Sequence, residues 1–232
     1  MVEPSRDIAE RVATLRNRIA EAAASAGRSP AEVRLLAATK TVDPQRIIQA
    51  LDAGVELIAE NRVQEVVAKA PALAGCTFTA HFIGHLQANK INALLGRVSC
   101  VQTVDSPGLV ERLQRRLAAT DSTLDVFVQV NVSGEPAKSG VSAADAGRLV
   151  DAVTAASALR LRGYMTVGLN APDLTAVRAG YAALRDLRDR LAVPGADELS
   201  MGMTGDFEAA IAEGATIVRL GSAIFGSRPA PG

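Results

Sequence analysis

The chain has no tryptophan, and its 232 residues include only five phenylalanines and two tyrosines. Proteins that grip single-stranded nucleic acid stack bases on such rings, so this composition offers no platform for that work. An excess of one charge is missing too. The 25 basic and 25 acidic side chains cancel, whereas a protein built to hold nucleic acid by its phosphates shows a basic excess or stripe. Cysteine and histidine are scarce: Cys76 and Cys100 form no CxxC pair and no metal-ligand spacing with His81 and His85. Neither a disulfide framework nor a metal site is expected. No apolar run reaches the roughly 18 residues a membrane-crossing helix needs. Glu3, Arg6, Asp7 and Glu10 interrupt the stretch where a secretory signal would carry its apolar core. The expected setting is the reducing cytoplasm, with no membrane and no nucleic acid as partner.

What is present is a regular alternation. Ile8, Val12, Leu15 and Ile19 repeat at helical spacing and Gly27 stands at the stop, which predicts an amphipathic helix over 5–26. Eight apolar runs then read as strands, at 34–39, 56–60, 79–84, 100–104, 125–131, 159–167, 198–202 and 216–221. Helical patterns separate them, with starts at Asp43-Pro44, at Ser106-Pro107, at Ser142 with Asp145, and at Pro172 ahead of a face made by Leu174, Val177, Tyr181 and Leu184. Strands alternating with helices make parallel sheets joined by right-handed crossovers, and eight of them close into a (β/α)8 TIM barrel. A doubly wound open sheet is the alternative. About eleven residues follow the last strand, too few for a full helix, and the N-terminal helix has no strand before it. The first helix is expected to fill that gap, making residues 1–232 one domain.

In such a barrel the chemistry gathers at the carboxyl ends of the strands. Strand one ends in Lys40. Alternation puts Leu36, Ala38 and Lys40 on one face, and an amine facing a barrel mouth is suited to a lowered pKa and to forming a Schiff base with an aldehyde. The plainer alternative is a surface lysine closing a strand. Strands seven and eight lead into Ser200-Met201-Gly202 and Gly221-Ser222, whose glycines and hydroxyls suit an anion nest, with the dipole of a following helix adding to it. Arg219 lies inside an apolar run and needs a partner, either an unprotonated ring nitrogen or carboxylate of a ligand, or an internal ion pair with Glu56 or Glu60. Amine, phosphate nest and arginine together match the aldehyde, phosphate and pyridine nitrogen of pyridoxal 5'-phosphate, PLP.

Seven sequence blocks carry a closer resemblance: ATKT at 38–41, ENRVQE at 60–65, HFIGHLQANK at 81–90, QVN at 129–131 with KSG at 138–140, GYM at 163–165, LSMGMTGD at 199–206 and VRLGSAIFGSR at 218–228. They resemble the pyridoxal phosphate homeostasis proteins, the YggS/PROSC-like PLP-binding family, over nearly the whole length. The resemblance implies a fold type III barrel similar to the N-terminal domain of alanine racemase. It also implies that Lys40 is the Schiff-base lysine, that Ser200, Gly221 and Ser222 hold the phosphate, and that Arg219 faces the pyridine nitrogen. Asn61, His85 and Met201 match positions near the cofactor. Ala80 departs from the pattern, because the family usually has tryptophan there.

Two functions follow as alternatives. In one, the chain binds PLP, buffers it and delivers it to PLP-requiring apoenzymes, without strong catalysis and as a monomer. In the other it is a PLP-dependent amino-acid racemase. Racemases of this fold carry a second domain that supplies a catalytic tyrosine, and after eight strands no such domain is expected here. Tyr164, the tyrosine nearest a strand end, reads better as core or rim. The first function is the expectation.

Overall fold

The computed structural model describes residues 4–135, 139–169 and 173–226. Its strands are β1 (Arg34–Ala38), β2 (Leu57–Glu60), β3 (Thr79–Phe82), β4 (Cys100–Val104), β5 (Leu124–Asn131), β6 (Val141–Ser142), β7 (Leu159–Met165), β8 (Glu198–Ser200) and β9 (Ile217–Leu220). Its helices are α1 (Pro4–Ser25), α2 (Pro44–Asp52), α3 (Val63–Leu73), α4 (Ile91–Leu94), α5 (Pro107–Ala118), α6 (Ala146–Thr154), α7 (Leu174–Leu191), α8 (Phe207–Ala212) and α9 (Ser222–Phe225). All eight expected strands are present. They run parallel in the order β4-β3-β2-β1-β9-β8-β7-β5, and a further β4–β5 pairing closes the ring. That closure settles the barrel against the open sheet.

Several local expectations change. β6 was not foreseen; it pairs only with the end of β5, Val130 opposite Val141. The last strand does have a helix after it, though α9 is a single turn. Asp43 caps α2 by accepting the Gln45 N–H at 2.8 Å, whereas Ser106 precedes Pro107 without a side-chain cap bond. Ser142 ends β6, and its hydroxyl closes the following turn against Asp145, 2.7 Å from Oδ2. Pro172 lies outside the described residues; α7 begins at Leu174 with Asp173 as its cap. Val177, Tyr181 and Leu184 are buried as the spacing requires, but Leu174 is exposed, being in the first turn and off the packed stretch.

The core has two layers, as the pleat dictates. Inside the ring Leu36, Leu57, Ala59, Cys100, Phe127, Met165 and Ile217 pack together. Outside it, the alternate strand residues meet the apolar faces of the helices. Helix α1 lies against α2, α8 and α9. Its stripe of Ile8, Val12, Leu15 and Ile19 is buried, which covers the gap that the single turn of α9 leaves. At the amino ends of the strands, Arg34 and Arg162 pair with Glu198, and Arg160 and Arg162 with Asp125. This rim of ion pairs belongs to the face that stabilises such barrels rather than the one that reacts.

Candidate functional site

The carboxyl ends of β1 and β9 and the loop after β8 border a cleft of about 510 Å³. Lys40, Arg219, Gly221 and Ser222 all line it. Lys40 is exposed, so the desolvation argument made from its strand position does not apply. What the position supplies is reach: among the described residues its ammonium has no hydrogen-bond or ion-pair partner. Gly221 has φ −118°, which any residue can adopt. The space explains the glycine, since a Cβ there would come within 3.2 Å of the Ala38 carbonyl oxygen and point at the cleft wall. Ser222 is exposed, with Oγ 3.3 Å from Thr204 Oγ1. The leading amides of α9 have no intrahelical acceptor. A single turn has little dipole, so amides and hydroxyls, not the dipole, are the anion donors of this turn.

The loop after β8 is held in shape from beneath. Gly202 has φ +91°, and a Cβ there would overlap Ala210, so this turn requires glycine. Asp206 accepts the Met203 N–H at 2.6 Å and the Tyr181 hydroxyl at 2.8 Å. Burial, the Asp206 charge and that bond all keep the Tyr181 phenol protonated, far above the ordinary tyrosine range.

Arg219 is buried and has neither expected carboxylate as partner. Glu56 is exposed and Glu60 pairs with Lys69 at 2.6 Å. Instead Arg219 Nη2 donates to Thr166 O at 2.7 Å and Nη1 to Ser200 Oγ at 3.0 Å. The Ser200 hydroxyl in turn donates a hydrogen bond to Gln102 Oε1 at 2.6 Å. Gln102 Nε2 lies 2.7 Å from His81 Nδ1, which makes Nδ1 the acceptor. The chain therefore runs one way, from a cation to a neutral imidazole. Burial first, then the Arg34 charge, hold His81 down to about 4. Burial also lowers Arg219 to about 10, against the pull of Tyr181 and Asp206, and it stays cationic at neutral pH.

The other expected residues are placed differently. Ser200 is fully buried and its hydroxyl is committed between Arg219 and Gln102, so it touches the cleft only through Arg219. Met201 is fully buried in the outer core and lines neither this cleft nor its neighbour. Asn61 and His85 share an adjoining recess of about 450 Å³ with Arg62 and Lys90. There Asn61 Oδ1 is buried without a partner, and His85 Nδ1 stands 3.9 Å from Asp105. Tyr164 is core: fully buried, its hydroxyl unpaired and raised to about 12 by burial. Lys138, Ser227 and Arg228 of the sequence blocks lie outside the described residues. A larger cavity, about 580 Å³, opens on the outer wall between α3 and β2–β3 and contains none of the expected site residues. Ala80 lines it, and its small side chain leaves that space unfilled.

Two cleft residues were not singled out from sequence. Arg46 on α2 donates to Phe225 O at 2.7 Å, and Thr204 faces Ser222. Position three of a helix and the fourth residue past a strand carry no periodic signal. The cleft thus presents three cations, Lys40, Arg46 and Arg219, against Asp43, which is engaged as a helix cap. A phosphorylated aldehyde with a basic ring nitrogen fits that donor set and a wall kept open by Gly221.

Comparison with known proteins agrees with this fold. Residues 11–229 match the family described as alanine racemase, N-terminal domain. The chain is 43% identical to the pyridoxal phosphate homeostasis protein of Pseudomonas aeruginosa, covering 95% of this chain and 96% of that one. Among solved structures, an unknown protein from Bifidobacterium adolescentis superposes with a TM-score of 0.92 at 43% identity, covering 97% of this chain and 98% of the other. PipY of Synechococcus elongatus, solved with PLP bound, gives 0.83 at 32% identity, covering 94% and 100%. Alanine racemase of Clostridium difficile shares the fold, with a TM-score of 0.75 at 13% identity, and the match covers 97% of this chain and 58% of that one.

Proposed function

Because the chain belongs to the pyridoxal phosphate homeostasis protein family, we propose that it binds PLP at the carboxyl mouth of its barrel, and buffers or delivers it without strong catalysis of its own. The observation that carries this reading is the convergence of Lys40, Arg219, Gly221 and Ser222 on one cleft. When bound, PLP supplies an aldehyde that captures amines reversibly, an electron-withdrawing ring and a phosphate dianion. Lys40 offers the free amine. Gly221 keeps the wall open where Ser222 and the leading amides of α9 would hold phosphate, and Ser200 fixes the guanidinium of Arg219. Asn61 and His85 edge the same mouth from the neighbouring recess, and Met201 backs it from the core.

Holding rather than turnover is favoured by the other groups present. Arg219 remains charged, so it would keep a ring nitrogen beside it unprotonated and weaken the ring as an electron sink. Racemisation needs a proton donor and acceptor on opposite faces of a carbon. Of the described residues lining the cleft, the titratable ones besides the arginines are Lys40 and the capping Asp43. Neither tyrosine lines it. Residues 1–232 would act as one unit, with the helix over 5–26 closing the barrel, as a cytoplasmic monomer passing PLP to PLP-requiring apoenzymes. Among the described residues no helix is long and apolar enough to cross a membrane. Borohydride reduction of the PLP-treated protein, followed by peptide mapping, tests the reading. The label belongs on Lys40; finding it on Lys90 or Lys138 overturns the assignment.

A further inference from the structure

Lys69 stands on α3, outside the barrel wall, and its ammonium is buried. Nζ donates to the Thr39 carbonyl at 2.8 Å, to Glu60 Oε1 at 2.6 Å and to Glu65 Oε2 at 2.8 Å. Glu65 Oε2 also accepts the Thr41 N–H, at 2.6 Å, and Thr39 Oγ1 lies 2.7 Å from Glu60 Oε1. A lysine paired with a glutamate four residues before it is an ordinary helix clamp. Here the remaining bonds go somewhere particular. The two residues bound, Thr39 and Thr41, are those on either side of Lys40.

Thr41 has φ +59°, a left-handed conformation that costs a β-branched residue free energy and persists only where its surroundings over-determine it. The Glu65–Lys69 pair supplies that constraint. Burial raises Glu60 despite Lys69, while at Glu65 the bonds from Lys69 and the Thr41 N–H outweigh burial and hold the carboxyl below its usual range. The carboxylate that grips the backbone beside Lys40 is Glu65, through the Thr41 N–H.

We propose that Lys69 is a positioning residue for Lys40: from outside the barrel it fixes the backbone on which Lys40 stands, and with it the direction in which the amine reaches into the cleft. This rests on the reading of Lys40 as the PLP-capturing amine.

The test compares the full-length protein with Lys69→Met, with Glu65→Ala as a milder variant in case the first fails to fold. Val153→Ala, a cavity in α6 away from the mouth, controls for general destabilisation. The first readout needs no cofactor: the Thr41 amide should exchange with deuterated water faster in both variants and unchanged in Val153→Ala. The second is the rate at which added PLP becomes lysine-bound, followed by its absorbance. It should fall about ten- to a hundredfold in Lys69→Met, the upper end being the scale of loss when a reacting group is misplaced by around an ångström, and less in Glu65→Ala. Folded variants that match the parent in both exchange and capture overturn the inference. If the parent's PLP maps to a residue other than Lys40 while Thr41 exchange still responds, the proposed function fails and the backbone coupling stands.

Discussion

Gly221 lacks a side chain for reasons of space, and that makes it a sharp probe of the cleft. Valine keeps the φ of −118° but brings its Cβ to 3.2 Å from the Ala38 carbonyl oxygen and adds bulk to a wall of the cleft. We expect Gly221→Val to fold and to lose about ten- to a hundredfold in PLP affinity by equilibrium dialysis, as occluding a preformed pocket does. Unchanged affinity would place the phosphate elsewhere. His81 carries a second prediction. In the unfolded chain its pKa is near 6.5 and in the barrel about 4, so between those values the unfolded state binds more protons and stability falls as pH falls. The loss from pH 7 to pH 5 should be about 2 kcal/mol, read from urea midpoints, and His81→Gln should remove this dependence. Lys40, Arg219 and Gly221 were legible because strand alternation fixes which residues point to a barrel mouth. The same rule places Met201, next to inward-facing Ser200, outward in the core. Asn61 and His85 were reached through the resemblance alone, and Lys69 gave no signal because burial of a lone lysine leaves no mark on sequence.

At the level of elements, α1 packs against α9, the single turn that follows the last strand. If it contributes as barrel wall, truncating Ile8, which is fully buried, should cost as much as a core residue elsewhere. Ile8→Ala is expected to lower unfolding stability by about 2–5 kcal/mol in one transition shared by far-ultraviolet circular dichroism and tyrosine fluorescence. A loss confined to local fraying would mean that α1 merely rests on the barrel. The eight strands and α1 were readable because their apolar patterns run long enough to stand out from the stretches between them. β6 has two residues, too few to show a period; α4 and α9 stand where helices were expected but are single turns, because a short apolar run does not fix a helix's length. Leu174 was misread because a helical period does not reveal how far the supporting surface extends.

For the whole molecule, the proposed role is holding and release. PLP-saturated protein given L-alanine in deuterated water should exchange the α-proton no faster than free PLP with a lysine-bearing control protein, and should restore activity to a PLP-requiring apoenzyme. Racemisation well above the control and lost in Lys40→Ala would reinstate an enzyme. The closed ring has another consequence, for how the chain is made. β1 pairs on one side with β2 and on the other with β9, Arg34 against Ile217, while α1 covers α8 and α9. During synthesis the first strand therefore leaves the ribosome with one edge that has no partner until the last strand follows it, and the apolar stripe of α1 waits equally long. Such an edge and stripe invite intermolecular pairing. A chain cut before β9 is therefore expected to aggregate as an open sheet rather than form a smaller barrel, as light scattering of the truncated product would show.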